Sequence, residues 1–286
     1  MEGLKLIECP RDAMQGITTF IPTDLKVKYL NELLKVGFDT IDIGSFVSPK
    51  AIPQLADTAE VLARIDSRNS KSKLLVIVAN ERGAEEAVKQ ESVTYLGYPF
   101  SISETFQQRN TNTSIEGSWE RTARIAELAR ANGKELVVYI SMAFGNPYGD
   151  PWNEQVALHW TERLVRELGV RIIALSDTVG VARPADITSM FSALIPALPS
   201  VEFGAHLHCS PDNWKEKTQA AWDGGCRRFD GAIKGYGGCP MAEDDLVGNL
   251  QTELFVRSLE ERGVSTGLDL AQLDRCVAEA SGVFPA

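Results

Sequence analysis

The sequence predicts an α/β fold: a closed (β/α)₈ barrel with extra helices at its C-terminal end. Three observations carry that expectation. Short aliphatic and β-branched runs alternate with helix-period segments eight times, without a linker or a break in composition. The 286 residues suit one such barrel, which takes roughly 250 residues as a single domain. Polar and titratable residues collect just after the strands, where a barrel keeps its chemistry. The turn after the first strand, Pro10-Arg11-Asp12, also lacks the glycines that an open dinucleotide-binding sheet needs there.

Residues 4–9 are the first expected strand, ended by Pro10. Residues 24–36 carry Leu25, Val27, Leu30, Leu33 and Leu34 at helical spacing and close on Gly37. The second strand is 39–43, and it leaves through 44–50. A helix over 53–65 precedes the third strand, 73–78, which ends at Asn80. A short helix, 84–89, leads to strand four at 92–96, whose exit is a long polar stretch, 101–114. Helix 116–132 stops at Gly133 before strand five, 136–140. Helix 154–168 stops at Gly169 before strand six, 171–175, which leaves through Ser176-Asp177-Thr178. Helix 184–198 opens on Pro184, whose fixed φ and missing N–H suit a first turn. Strand seven runs from Val201 into His206-Leu207-His208. Helix 212–221, strand eight at 227–233 and a glycine-rich exit at 234–240 complete the barrel. Helices at 246–262 and 268–280 close the chain. Residues 1–286 thus read as one TIM-barrel catalytic domain, with the barrel at about 4–240 and the added helices at about 241–286.

Composition narrows the function. Hydrophobic residues make up 44% and charged residues 24%, the balance of a soluble globular protein. A net charge of −10 argues against a nucleic-acid partner. No apolar run reaches the roughly 20 residues that span a bilayer, so no membrane partner is expected. The five cysteines are scattered and lack C-x-x-C spacing, which indicates neither a disulfide framework nor a zinc knuckle. A strand starting at residue 4 leaves no room for a leader, so a reducing cytoplasmic location is expected.

Two of the three histidines, His206 and His208, stand two apart at a strand's end. Residues i and i+2 of a strand face one side, so both imidazoles aim at one point. Such a pair is half a metal site. The other strand exits add Arg11 and Asp12, Asp42 and Ser45, Asn80, Ser101 and Glu104, Ser141, Asp177 and Thr178, and after strand eight Gly237 and Cys239. A packed core cannot hold so many polar groups at one end, because buried ones need partners. Of these, Arg11, Ser45, Asn80, Ser141, Asp177, Thr178 and Gly237 are expected to contact substrate. Asp12 is the best carboxylate to join the histidines, since strand one closes beside strand eight. Two imidazoles with carboxylate and amide oxygens and open positions suit Mg²⁺ or Mn²⁺. The same set also suits Fe(II), while Zn²⁺ prefers tighter, thiol- or imidazole-rich ligation.

The residues themselves resemble a family. Ile7-Glu8-Cys9-Pro10-Arg11-Asp12-Ala13-Met14-Gln15 looks like the first-strand signature of the 3-hydroxy-3-methylglutaryl-CoA lyases. So do Ser45-Phe46-Val47-Ser48-Pro49-Lys50, Ser176-Asp177-Thr178-Val179-Gly180-Val181, His206-Leu207-His208 and Gly235-Tyr236-Gly237-Gly238-Cys239-Pro240. The resemblance implies a metal-dependent retro-Claisen cleavage of 3-hydroxy-3-methylglutaryl-CoA, or a close 3-alkyl relative, to acetyl-CoA and acetoacetate or the matching 3-oxo acid. It implies Asp12, His206, His208 and Asn249 as ligands of a divalent cation. It implies Arg11 at the thioester carbonyl, Asp42 near the reacting centre and Cys239 in proton transfer. It leaves the base open among His206, Asp12 and a water on the metal. An acyl-CoA partner and a homo-oligomer, dimer or tetramer, are further implications. The same superfamily contains synthases that condense acetyl-CoA with 2-oxo acids, and a barrel kept only to bind metal or CoA is the non-enzymatic alternative.

The chain departs from the family pattern in places. Ala13-Met14 replace a usual Gly-Leu, Asp42 replaces a glutamate, Cys209 replaces an aspartate, and Lys234 replaces a small residue. Asn249 is one residue further from Cys239 than usual. These changes surround the pocket and bear on the acyl substituent rather than on the reaction class.

Overall fold

Eight parallel strands close on themselves in chain order, β1 beside β8. The computed structural model describes residues 3–238 and 247–284. In order these contain β1 (Lys5–Glu8), α1 (Pro10–Gln15), α2 (Thr23–Val36), β2 (Thr40–Ser45), α3 (Thr58–Arg64), β3 (Lys73–Ile77) and α4 (Glu81–Val88). There follow β4 (Val93–Ser101), α5 (Glu104–Thr111), α6 (Ile115–Ala131), β5 (Glu135–Ser141), α7 (Glu154–Leu168) and β6 (Ile172–Asp177). The chain ends with α8 (Pro184–Ala197), β7 (Glu202–Leu207), α9 (Trp214–Asp223), β8 (Arg228–Gly231), α10 (Thr252–Glu261) and α11 (Leu270–Val283). Among the described residues no helix is long and apolar enough to cross a membrane.

Several stretches differ from the sequence-based expectation. β4 runs to Ser101 and pairs with β5 residue by residue, although Gly97 and Pro99 read as strand breakers. The polar exit after it is a helix, α5, capped by the Ser103 hydroxyl accepting from the Phe106 N–H at 3.1 Å. Pro10 does not merely stop β1: it starts α1, where its ring suits the first turn. Strand eight is shorter than expected, and α10 begins only at Thr252.

Strand alternation sorts the side chains into two apolar layers. Leu75, Tyr95, Val137, Tyr139, Ile172 and Ala174 fill the barrel interior. The other face of the strands packs against the helices in one much larger cluster. Gly204 sits on the inner face, where an added Cβ would stand 2.9 Å from Cδ of Arg228. The glycine lets that arginine lie buried across the barrel floor, bonded to Glu202 at 3.2 Å.

Alternation puts Glu8 on the helix-facing side of β1, in the same row as Leu6 of the large core. Its carboxyl accepts from the Ile233 N–H at 2.8 Å and faces the Thr252 hydroxyl at 2.6 Å. Burial pushes its pKa from 4.5 to about 8, against the pull of those two partners. A protonated Glu8 loses nothing there, because its O–H can donate to Thr252 while its carbonyl oxygen keeps Ile233. With the folded pKa raised, this contribution is complete below about pH 4.5 and is lost as pH climbs through about 8. Its ceiling is on the order of 5 kcal/mol. Glu8→Gln copies the protonated form, so denaturant midpoints of that variant should lose their decline between pH 5 and 9. A parallel decline in both proteins would show that Glu8 does not cause it.

Candidate active site

The C-terminal mouth of the barrel is organised by α1 and the end of β7. One turn of α1 puts Arg11, Asp12 and Gln15 on a common face. Arg11 donates Nε and Nη2 to Oδ2 of Asp42 at 2.9 and 2.6 Å. Its Nη1 donates to Asp12 Oδ1 and to Gln15 Oε1, each at 2.8 Å. Burial opposes the charge, but Asp42 and Asp12 outweigh it and hold the guanidinium more firmly protonated than usual. Asp42 is itself pushed up to about 6 by burial, with Arg11 pulling the other way. Its second oxygen has no hydrogen-bond partner among the described residues.

Asp12, His206 and His208 are all buried, and their ligand atoms lie within 4.8 Å of one another. Each imidazole is oriented through Nδ1. That of His208 donates to the Thr178 carbonyl at 2.8 Å, and that of His206 faces Oδ2 of Asp230 at 3.3 Å. This leaves Nε2 of each ring as the lone pair on offer, the usual arrangement behind metal-bound histidine. Burial, and next the neighbouring His206, lower His208 to about 4, so its ring is neutral at pH 7. His206 is raised: Asp230 and Asp12 overcome its burial. Asp12 is lowered, because Arg11 and the two histidines outweigh burial. The donor set therefore fits a divalent cation: one carboxylate held ionised and two oriented rings.

Asn249 sits beside this group. Its Nδ2 donates to Asp12 Oδ2 at 2.6 Å and to the Tyr236 carbonyl at 2.9 Å, leaving Oδ1 as the atom it could offer to a cation. Gly237, at φ +93°, passes so close that a Cβ would meet the Asp12 carbonyl oxygen at 2.6 Å and Asn249 Nδ2 at 2.7 Å. Only glycine suits that crossing.

A cavity of about 320 Å³ opens above these groups. Arg11, Asp12, Gln15, His206 and His208 form its polar floor, with Ser141, Thr178 and Tyr139 beside them. Val47, Ala51, Ile52, Ile77, Pro99 and Phe106 supply an apolar wall. The Tyr139 hydroxyl is buried without a partner among the described residues, and its ring meets His206 edge-on with centroids 5.7 Å apart.

The structure thus brings Arg11, Asp12, Ser141, Thr178, His206 and His208 to the cavity and sets Asn249 and Gly237 against Asp12. Other expected contacts are spent on the framework. The Ser45 hydroxyl accepts from the Val47 N–H at 3.1 Å. Asn80 caps α4, accepting from the Gly83 N–H at 2.9 Å. Asp177 is paired with Lys217 at 2.7 Å and accepts from the Ala182 N–H. Asp42 stands behind Arg11 rather than on the cavity lining. Glu104 caps α6 at the Ile115 N–H, and Lys234 turns its ammonium to the Ser281 hydroxyl on α11. Cys239 lies outside the described residues. Sequence reasoning missed Gln15, Tyr139 and Asp230. Gln15 was legible as the residue three beyond Asp12 once α1 is seen as a helix. The other two look like ordinary strand residues until the barrel closes.

The HMGL-like family model matches residues 5–278. A cytoplasmic 3-hydroxy-3-methylglutaryl-CoA lyase of Rattus norvegicus is 33% identical over 270 residues, covering 94% of this chain and 78% of that protein. A 3-hydroxy-3-isohexenylglutaryl-CoA/hydroxy-methylglutaryl-CoA lyase of Pseudomonas aeruginosa is 33% identical over 272 residues, covering 94% and 89%. Among solved structures, the HMG-CoA lyase of Bacillus subtilis aligns with TM-score 0.92 at 29% identity, covering 100% of this chain and 96% of that one. An Acinetobacter baumannii HMG-CoA lyase in complex with coenzyme A and 3-methylmalate aligns with TM-score 0.90 at 31% identity, covering 98% and 91%.

Proposed function

The chain belongs to the HMGL-like family, and from that premise we propose that it is a carbon–carbon lyase cleaving 3-hydroxy-3-methylglutaryl-CoA or a close 3-alkyl relative. One observation carries the reading to this chain's own residues. Asp12, His206 and His208 converge on the floor of a cavity that Arg11 also lines. Membership implies a divalent metal, and these three residues, with Oδ1 of Asn249, would hold it. Their nitrogen and oxygen donors support Mg²⁺ or Mn²⁺. When bound, the cation supplies Lewis-acid polarisation and orientation of the substrate's hydroxyl and carboxylate oxygens.

In the reaction the 3-hydroxyl loses its proton and the bond between C2 and C3 breaks. The electron pair passes to the thioester as an enolate, which a proton converts to acetyl-CoA. Four of the five Arg11 N–H groups are already committed to Asp42, Asp12 and Gln15. The fifth, on Nη2, has no partner among the described residues and is available to the thioester oxygen from a guanidinium that cannot turn. The Tyr139 hydroxyl, without a partner among the described residues, offers a further hydrogen bond to the bound acid. Cys239 keeps the proton-transfer role that family resemblance suggests.

The apolar wall supports the pantetheine arm together with a 3-substituent, and its small Ala51 leaves room beside Val47 and Ile52. The test is an acetyl-CoA release assay with Mg²⁺ on 3-hydroxy-3-methylglutaryl-CoA and on its 3-ethyl and longer homologues. Cleavage of the methyl substrate is expected, with the homologues also cleaved. A loss beyond about 100-fold for one added methylene would reserve that wall for pantetheine. No cleavage of any member, with CoA released instead from acetyl-CoA and a 2-oxo acid, would overturn the lyase reading.

A further inference from the structure

Lys217 is a lysine with almost no contact with solvent: its side chain is 2% exposed, and that of its partner Asp177 is 1% exposed. An ammonium has three N–H groups, and here all three are used. They reach Asp177 Oδ2 at 2.7 Å, the Gly180 carbonyl at 2.9 Å and the His208 carbonyl at 3.0 Å. The donor comes from α9. Two acceptors belong to the exit of β6, and the third is the backbone of a residue whose ring closes the metal-binding group. The same two segments are joined a second time by the His208 ring, whose Nδ1 donates to the carbonyl of Thr178, the residue after Asp177.

We propose that Lys217 is a positioning residue for the metal centre, fastening the His208 backbone to the β6 exit so that Thr178 orients the imidazole. The proposal rests on the reading of Asp12, His206 and His208 as that centre. Stability alone does not account for such a lysine, because a well-packed apolar pair in the same place is often as stable or more so. What an apolar pair cannot do is hold two carbonyls and a carboxylate from separate segments at fixed distances. The β6 exit is anchored at its other side as well. Asp177 accepts from the Ala182 N–H at 3.1 Å, and Gly180 turns at φ +71° against Val247. Lys217 therefore connects a stiff loop to the ligand it orients, without touching the cavity itself.

A second buried lysine provides the control. Lys26 is also 2% exposed, donating to Asp57 at 2.7 Å and to the Gln54 carbonyl, but on α2 and with no metal-binding residue among its acceptors. The experiment titrates Mn²⁺ alone into purified protein and reads free Mn²⁺ by electron paramagnetic resonance, with folding followed by circular dichroism. Lys217→Met is expected to weaken Mn²⁺ binding by about 10- to 100-fold, as loss of an outer support of a metal ligand does. Lys26→Met should lose comparable thermal stability yet bind Mn²⁺ as the parent does. Where Lys217→Met leaves Asp177 too costly to bury, Lys217→Met with Asp177→Asn removes both charges and should fold with the same loss of Mn²⁺ affinity. A parent that binds Mn²⁺, with folded Lys217 variants binding it equally well, would overturn this proposal alone. Equal weakening in the Lys26 variant would also overturn it, by reducing the effect to general destabilisation. A parent that binds no Mn²⁺ would remove the metal reading and this proposal with it.

Discussion

Arg11→Met is expected to lower kcat by about 10²- to 10³-fold while moving KM by less than about threefold. The reason lies in what the guanidinium does before substrate arrives. Its plane is fixed by two bonds to one oxygen of Asp42 and one each to Asp12 and Gln15. Such a donor costs no reorganisation when charge develops on the thioester oxygen, so its contribution appears in the transition state rather than in binding. The substitution also strips a positive charge from beside Asp12, which any divalent cation would feel as repulsion. Metal affinity should therefore hold or rise, and a drop in turnover cannot be ascribed to metal loss. Arg11→Lys keeps the charge but not the fork, and it should recover only part of the rate. Steady-state kinetics of both variants at saturating Mn²⁺ checks kcat and KM, and a separate Mn²⁺ titration checks the affinity. A rise in KM with kcat intact would mean that Arg11 only holds the substrate.

The barrel was readable because periodicity and punctuation agree over most of the chain. Helix α7 has the bounds its pattern suggests, since Gly169 ends it in a left-handed turn. The errors fall where local signals oppose tertiary demand. Gly97 and Pro99 argue against a strand, yet β4 continues through both because β5 offers a ladder on its side. The two histidines were legible from spacing alone. Their orienting partners were not, because a backbone carbonyl such as that of Thr178 has no sequence signal. Asp177 illustrates the converse. It stands where a substrate contact is expected, but a lysine 40 residues later in the chain occupies it. Only the folded chain brings that pair together.

His208→Ala should weaken Mn²⁺ binding by at least about 100-fold, more than loss of a supporting residue, since a direct donor disappears. It should do so with a modest structural cost. Among the described residues the ring's one hydrogen bond goes to the Thr178 carbonyl, and a bond of that kind contributes roughly 1 kcal/mol. The backbone carbonyl of residue 208 survives the substitution, so Lys217 can still bind it and keep the end of β7 against the β6 exit. The remaining donors, Asp12, His206 and Asn249, would then stay in place with one position vacated beside Thr178. A ring-sized gap beside an open cavity invites a simple rescue. Added imidazole should restore part of both Mn²⁺ binding and acetyl-CoA release in His208→Ala, but do nothing for Arg11→Met. Binding measured without activity separates the metal site from the chemistry above it. If the alanine variant bound Mn²⁺ as tightly as the parent, His208 would be a framework residue, and the donor set would have to be rebuilt around Asp12, His206 and Asn249.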